Sequence, residues 1–370
     1  MRNSREIKVG SIFLGGKNEV AVQSMCSSKT GDIKRTLSQI HQLQEKGAKI
    51  IRIAVDNKED VKSLKEIRKE TDANLSVDLQ ENYVLAKDVA PYVQKIRYNP
   101  GHLYHIEKEK SVKDKVKELV QIAGENDCAI RIGVNFGSLD PSLRKNGENS
   151  GDIAIKSASE HVEIMESLGF KDYLVSLKSS DPYGVIKINE QFSKLYPFVP
   201  LHLGVTEAGM LPMGEIKSRV AMEYLLSKGI GDTLRVSLTV PFDEKYQEIA
   251  VGNQIIEDVK NGKFLPKDAY KTTGLNIISC PSCSRVQTDK LVDLAKSIKE
   301  ATSFAKDESF TIAVMGCRVN GPGESDDADI GVWCAPNFVN LKVRGKLQGS
   351  FSYDEIVNVV VKELRNLINE

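Results

Sequence analysis

The sequence predicts an α/β protein, a TIM (β/α)8 barrel followed by a small α+β domain that carries a metal centre. Three observations point there. Eight short β-rich runs alternate with longer charged segments of helical period over about 240 residues. The alternation stops at Asn261–Lys271, a stretch of Gly, Pro and charge that reads as a linker. Beyond it the cysteines gather, as a Cys280-x-x-Cys283 pair and then Cys317 in a glycine-rich loop.

The eight runs are Glu19–Ser24, Ile50–Val55, Asn74–Leu79, Lys95–Tyr98, Ala129–Asn135, Tyr173–Leu177, Pro200–Val205 and Thr233–Leu238. Helical periodicity fills the spaces at Asp32–Lys46, Lys58–Glu70, Val112–Gly124, Ala154–Leu168, Gly184–Leu195, Glu215–Lys228 and Tyr246–Lys260, with a short helix near Asn82–Val89. A doubly wound open sheet also alternates, but it usually has fewer strands in a domain of this size. Residues 1–260 are therefore assigned to the barrel, 261–271 to the linker and 272–370 to the second domain. There the expected order is a helix over Val286–Thr302, a strand at Phe310–Met315, the Gly-rich loop, a strand at Ile330–Cys334, a hairpin through Leu341–Lys346 and a helix over Tyr353–Ile368.

Four barrel runs carry an arginine among apolar residues: Arg52, Arg97, Arg131 and Arg235; another run is followed by Lys178. Burying a guanidinium is costly unless an anion meets it. Asp78 could serve one of these cations internally, but not easily four from four strands. Arginine forks match phosphate oxygens, so a polyanionic substrate, a diphosphate, is expected at the barrel mouth. The loops after these strands are polar, as a binding face requires. Glu207, just past the seventh run, reads either as a general acid or hydroxyl anchor, or as a partner for one arginine. His202 lies inside that run and is expected to be a satisfied interior histidine. His102 and His105 have no metal-ligand partners nearby in sequence.

A thiolate pair at the Cys280–Cys283 spacing can hold one metal centre from a single turn. A zinc ribbon would need a second C-x-x-C, which is missing, and no thioredoxin-like pattern surrounds the pair. With Cys317 added, an iron–sulfur cluster fits better than zinc. Two residues compete as fourth ligand. Cys334 sits in an apolar run, where a free cysteine is usually a small core residue. Glu324 ends the Gly321-Pro322-Gly323 turn and is the first acid after Cys317.

Lysine plus arginine equal aspartate plus glutamate, 51 against 51, which argues against a large nucleic-acid footprint. No apolar run is long enough for a membrane span, and no signal-peptide core is present. Six cysteines in 370 residues do not suggest a disulfide scaffold, and their clustering favours a reducing, cytoplasmic setting.

The stretches Val22-Gln23-Ser24-Met25, Lys95–Gly101, Arg131–Asn135, Leu201–Gly209, Gly229–Leu238, Ser279–Cys283 and Asn320–Glu324 together resemble the bacterial 4-hydroxy-3-methylbut-2-enyl diphosphate synthases, nearly end to end and in order. The resemblance implies a TIM barrel joined to a ferredoxin/sulfite-reductase-like domain with a 4Fe-4S cluster. It implies Cys280, Cys283, Cys317 and Glu324 as the cluster ligands, which leaves Cys334 structural. It implies 2-C-methyl-D-erythritol 2,4-cyclodiphosphate as substrate and a two-electron reductive ring opening with loss of water, late in the methylerythritol phosphate route to isoprenoids. The family's diphosphate contacts map to Arg52, Arg97, Asn99, Arg131, Asn135, Lys178, Thr206, Arg235 and Ser237, and Asp78 joins this substrate-binding set. Glu207 matches an acid near the substrate, and Glu324 is the ligand that can yield its iron site, carboxylate being weaker than thiolate. Reduced flavodoxin or ferredoxin supplies the electrons. Family members are homodimers in which one chain's cluster domain covers the other chain's barrel.

There are departures. Many members have Asp-Ile-His where this chain has Asp78-Leu79-Gln80, and Thr-Asn where it has Cys26-Ser27. The histidine's role therefore does not carry over. The chain has no room for the large inserted domain of the plant-type enzymes. Two other readings use the same features. One is an aconitase-like iron–sulfur lyase acting on a phosphorylated substrate, and the other a zinc-stabilised binding protein.

Overall fold

The computed structural model describes residues 3–143, 149–264 and 274–370. Eight parallel strands form the first domain: β3 (Ala21–Met25), β4 (Ile50–Ala54), β5 (Leu75–Gln80), β6 (Lys95–Tyr98), β7 (Ala129–Asn135), β8 (Tyr173–Lys178), β9 (His202–Leu203) and β10 (Thr233–Leu234). Their order is β8-β7-β6-β5-β4-β3-β10-β9, and a parallel bridge from Val175 to Leu201 closes the ring. The expected (β/α)8 barrel is borne out. Its outer helices are α1 (Ile33–Glu45), α2 (Lys58–Lys69), α3 (Ala86–Val89), α4 (Val112–Glu125), α5 (Ser150–Ser167), α6 (Pro182–Leu195), α7 (Met213–Ser227) and α8 (Gln247–Lys260). Asp32, Asn57, Ser111, Asn149 and Asp181 cap α1, α2, α4, α5 and α6, each accepting first-turn amide hydrogens. The Asn149 cap explains why α5 starts four residues ahead of the apolar periodicity at Ala154.

Residues 1–20 hold a hairpin that the sequence reading missed: β1 (Ile7–Val9) pairs antiparallel with β2 (Ile12–Leu14). Ile7, Val9 and Leu14 form one apolar cluster with Ala21, Ile50, Ala129 and Leu174, near the strand starts, so the hairpin plugs the N-terminal end of the barrel. Runs of three residues are too short for period-2 alternation to register.

The seventh and eighth strands are shorter than expected. Past Leu203 and Leu234 the chain leaves the ladder: Leu238 bridges Gly209 within the barrel, Ala208 bridges Ser279 of the second domain, and the Ser279 amide donates to the Glu207 carbonyl at 3.3 Å. Pairing supplied by a distant loop or by the second domain carries no signal in either run alone.

The second domain is a five-stranded sheet in the order β11 (Asn276–Ser279), β12 (Thr311–Met315), β13 (Ile330–Cys334), β14 (Val339–Val343), β15 (Lys346–Phe351). The first three strands run parallel and the last two add antiparallel. Helices α9 (Leu291–Ala301) and α11 (Ile356–Ile368) bury Leu291, Ile298, Ile356, Val360 and Leu364 in a core separate from that of the barrel. The short helix α10 (Gly321–Asp326) lies against β12 and β13.

Three expectations need correction here. Strand β11 was not foreseen. The helix expected from Val286 starts only at Leu291, because the Val286 amide is bound to the Cys283 carbonyl and the Gln287 amide to the Gly316 carbonyl at 3.0 Å each. Glu324 does not end a turn but sits inside α10. Of the expected linker, residues 265–271 lie outside the described residues. The resemblance implied a cap from a second chain; here the chain's own second domain covers its own barrel mouth, through the Ala208–Ser279 bridge.

Candidate active site

The strand ends place six of the expected side chains around one cavity: Arg52, Asp78, Arg97, Arg131, Lys178 and Arg235. Asn135, Thr206, Glu207 and Ser237 join them from the loops, and Cys280, Cys283 and Cys317 form the facing wall. Room for the cations comes from missing side chains. A Cβ on Gly133 would stand 2.1 Å from Arg97 Nε, and one on Gly204 would stand 2.7 Å from Lys178 Nζ.

Charge pairing divides these cations. Arg97 Nη1 donates to Asp78 Oδ1 at 2.9 Å and its Nη2 to the Gly133 carbonyl at 2.8 Å. Arg52 lies 3.8 Å from Asp78 and donates to Met25 Sδ. Arg235 reaches Glu248 at 3.3 Å. So internal pairing accounts for more than the sequence suggested: one acid serves two barrel arginines, and α8 supplies another. Burial works against the Asp78 carboxylate, but Arg97, Arg285 and Arg52 hold it well below the usual range.

Arg131 and Lys178 differ. Arg131 is buried and donates from Nη1 to Ser176 Oγ at 2.9 Å, while its Nε and Nη2 have no partner among the described residues. Burial pushes its guanidinium well below the ordinary value, and Arg52 and Arg97 add to the push. Burial does the same to Lys178, with Arg131 next in effect. His202 is buried as expected but not satisfied, since both ring nitrogens lack partners among the described residues. Unpaired buried donors around a cation cluster are what an anion-binding mouth requires before its ligand arrives.

Asn99 is not part of this cavity. Its Nδ2 donates to Ser138 Oγ at 2.8 Å and its Oδ1 accepts from the Gly101 amide, so it braces the loop after β6. Several lining residues had been given no role: Met25, Pro281, Arg285, Met315, Val319 and Asn320. Arg285 crosses from the second domain, donating to Asp56 Oδ1 at 2.7 Å and to the Asp78 carbonyl at 2.9 Å. Burial opposes its charge, but Asp78 and Asp56 outweigh that and keep it protonated. Its place two residues after Cys283 was a signal available in the sequence.

The three thiols lie within each other's electrostatic reach. Burial pushes Cys280 well above the ordinary thiol value, and Cys283 and Cys317 push it further. Cys317 rises to about 11, by burial and then by Cys283. Gly316 keeps this wall open, because a Cβ there would lie 3.2 Å from Cys280 Sγ. Cys334 is a buried strand residue in the apolar core, as expected, and burial lifts its thiol to about 11.

Glu324 is buried but does not line the cavity. Its carboxyl lies at Gly137, where a Cβ would stand 2.5 Å from Oε1, and faces Glu207. Burial raises Glu324 well above the usual carboxylate range, helped by Glu207 and Asp327. Burial also raises Glu207, against hydrogen bonds from Thr206 and Asn320. Glu207 has φ +48° and Ser282, between the two cysteines, φ +52°, a conformation that non-glycine residues hold only where the surroundings impose it. Among the described residues no three His, Cys, Asp or Glu could hold one metal ion. A cubane is less demanding, since each ligand holds a different iron and the four stand further apart. Three soft thiols within reach of one another, two of them buried, beside a glycine fit such a group.

A charge prediction follows for Glu324. Its carboxyl is raised in the fold, so the metal-free protein is most stable below the unfolded value of about 4.3 and loses stability as pH rises through the folded value. Glu324→Gln should remove that loss. The metal-free variant should melt higher than the parent at pH 8 and nearly level with it at pH 4.5. Equal melting temperatures at both pH values would count against a buried carboxyl here.

The chain matches the GcpE TIM-barrel domain over residues 4–253 and the GcpE protein C-terminal domain over residues 276–366. It belongs to the GcpE family. A relative from Rhodopirellula baltica, named 4-hydroxy-3-methylbut-2-en-1-yl diphosphate synthase (flavodoxin), is 52% identical over 367 residues, covering 99% of this chain and 96% of its own. A Nitratiruptor relative of the same name is 38% identical, covering 99% and 98%. The resemblance read from the motifs is therefore borne out. Among solved structures, a dihydropteroate synthase from Stenotrophomonas maltophilia aligns with TM-score 0.50 at 11% identity, over 71% of this chain and 100% of that one, which speaks to the barrel fold alone. No helix among the described residues is long and apolar enough to cross a membrane.

Proposed function

We propose that this GcpE chain converts 2-C-methyl-D-erythritol 2,4-cyclodiphosphate to 4-hydroxy-3-methylbut-2-enyl diphosphate in isoprenoid biosynthesis. The reaction consumes two electrons and two protons and releases water. The observation that carries the reading is one cavity in which Arg131, its Nε and Nη2 without partners among the described residues, and Lys178 share the lining with three thiols. A diphosphate supplies the anion these cations lack, and a redox centre beside it accounts for the thiols. A zinc-stabilised protein would need no cation cluster opposite its metal, and a lyase would need no reductant.

Arg52, Arg97, Arg131, Lys178 and Arg235 bind the phosphates, with Asn135, Thr206 and Ser237 donating to their oxygens. Asp78 holds the arginine forks apart and in register. Glu207 is positioned to hold a substrate hydroxyl or deliver a proton, and its raised affinity for protons suits that role. Cys280, Cys283, Cys317 and Glu324 would hold a 4Fe-4S cluster, which when bound supplies one-electron transfer and a Lewis-acidic iron. Glu324 would have to turn from Glu207 toward the thiols to do so. The cavity of about 80 Å³ is below the roughly 300–1,000 Å³ of ligand sites, so the cap must part from the mouth to admit substrate. Flavodoxin, named for the relatives, is the electron donor in this reading, with ferredoxin as the alternative. The enzyme is cytoplasmic and homodimeric, and the same cap contacts, exchanged between two chains, would build the dimer.

Glu324→Ala tests the ligand set. The variant reconstituted anaerobically should retain less iron than the parent and show no turnover. Normal iron content with normal turnover would remove Glu324 from the set.

A further inference from the structure

The chain around the cysteine pair is gripped by the barrel, not only by its own domain. Thr239 Oγ1 lies 3.2 Å from the Ser279 carbonyl and 3.0 Å from the Cys280 carbonyl. Lys245 Nζ, fully buried, donates to the Pro281 carbonyl at 2.7 Å. The segment that bears Cys280 thus meets two side chains from the barrel loop after β10, Thr239, which also lies 2.6 Å from Ser279 Oγ and has one hydrogen to give, and Lys245.

Lys245 also donates to Glu248 Oε1 at 2.8 Å, and Glu248 is fully buried as well. Glu248 accepts from Ser24 Oγ at 2.7 Å and from the Leu238 amide at 3.0 Å. It is also the carboxylate paired with Arg235, at 3.3 and 3.4 Å. A continuous buried path therefore runs from Arg235 through Glu248 and Lys245 to the main chain between Cys280 and Cys283. Both charges are fully buried, and buried charges are retained against a desolvation cost.

We propose that Lys245 and Glu248 are positioning residues that couple the diphosphate cation Arg235 to the cluster loop and tune the cluster's reduction potential. The proposal rests on the cluster reading above. A buried positive charge against the loop favours the more negative, reduced cluster, and hydrogen bonding and net charge near a cluster set its potential. Glu248 opposes that field. An anion that draws Arg235 away from Glu248 leaves Glu248 to lean on Lys245 alone, so occupancy of the mouth is felt at the loop. Because Lys245 belongs to the barrel, the field exists only while the cap is seated.

The test is an anaerobic redox titration of the cluster-loaded full-length protein, followed by electron paramagnetic resonance, with and without inorganic pyrophosphate as the mouth ligand. Lys245→Met should lower the midpoint potential at unchanged iron content, and Lys245→Arg should restore it. Glu248→Gln, which keeps the bond to Pro281, should raise the potential. Opposite signs from two buried neighbours cannot come from a merely structural role. Pyrophosphate, an anion facing the thiols, should lower the parent's potential, and lower that of Glu248→Gln less; equal shifts in the two would overturn the coupling through Glu248. If Lys245→Met fails to hold iron, Glu248→Gln decides alone: a raised potential supports the relay and an unchanged or lowered one overturns it. Parent-like potentials in both variants would overturn it too. A parent that binds no iron would instead overturn the cluster reading and this inference with it.

Discussion

Replacing Arg131 by methionine should weaken binding of a diphosphate ligand by about 10²-fold or more while raising the melting temperature of the ligand-free protein. Both effects have one cause. Arg131 is buried with two donor nitrogens unpaired among the described residues and is pressed by Arg52 and Arg97. Without ligand it is a cost, because an unsatisfied buried polar group is unfavourable by about 1–3 kcal/mol. With ligand it becomes half of a buried charge pair, whose truncation costs about 2–5 kcal/mol. Methionine fills the space without the charge. Pyrophosphate binding by calorimetry and thermal melts of the metal-free protein check the two halves. Unchanged affinity would remove Arg131 from the mouth, and a lowered melting temperature would mean that its charge is satisfied in the free protein.

Asp78→Asn should do the reverse. Asp78 accepts from Arg97, lies 3.8 Å from Arg52 and meets Arg285 from the second domain at 3.4 Å. Loss of its charge leaves buried arginines uncompensated, which is expected to cost about 3–5 kcal/mol. Pyrophosphate should recover part of that loss, since a ligand that binds only the folded state stabilises it. The pH dependence has a definite sign. The Asp78 carboxyl is depressed in the fold, so its stabilisation is complete above the unfolded value of about 3.9 and lost as pH falls through the folded value below it. The gap in melting temperature between parent and variant should stay constant from pH 8 to pH 5 and narrow only in stronger acid. A gap that closes near neutrality would implicate another group.

What the sequence revealed and what it hid follow from how each feature is built. The barrel was readable because parallel strands buried on both faces give continuous apolar runs, and arginines inside such runs stand out. The cysteine trio was readable from spacing. Lys245 and Glu248 were not, because a lysine and a glutamate three apart at a helix start look like a solvated face. They are buried only because the barrel loop and the second domain close over them. Likewise, Ala208–Ser279 pairing and the Asp78–Arg285 contact exist only between domains. Asn99 was assigned to substrate, but its side chain braces its own loop.

The most direct test of the central claim is anaerobic purification with iron, sulfide and zinc analysis, followed by turnover of the cyclic diphosphate with a one-electron reductant. The account predicts about four irons per chain, matching sulfide and reductant-dependent formation of the ring-opened diphosphate with loss of water. Zinc without iron would contradict it and return the cysteine pair to a structural role. Iron with turnover that needs no reductant would contradict it in favour of a lyase.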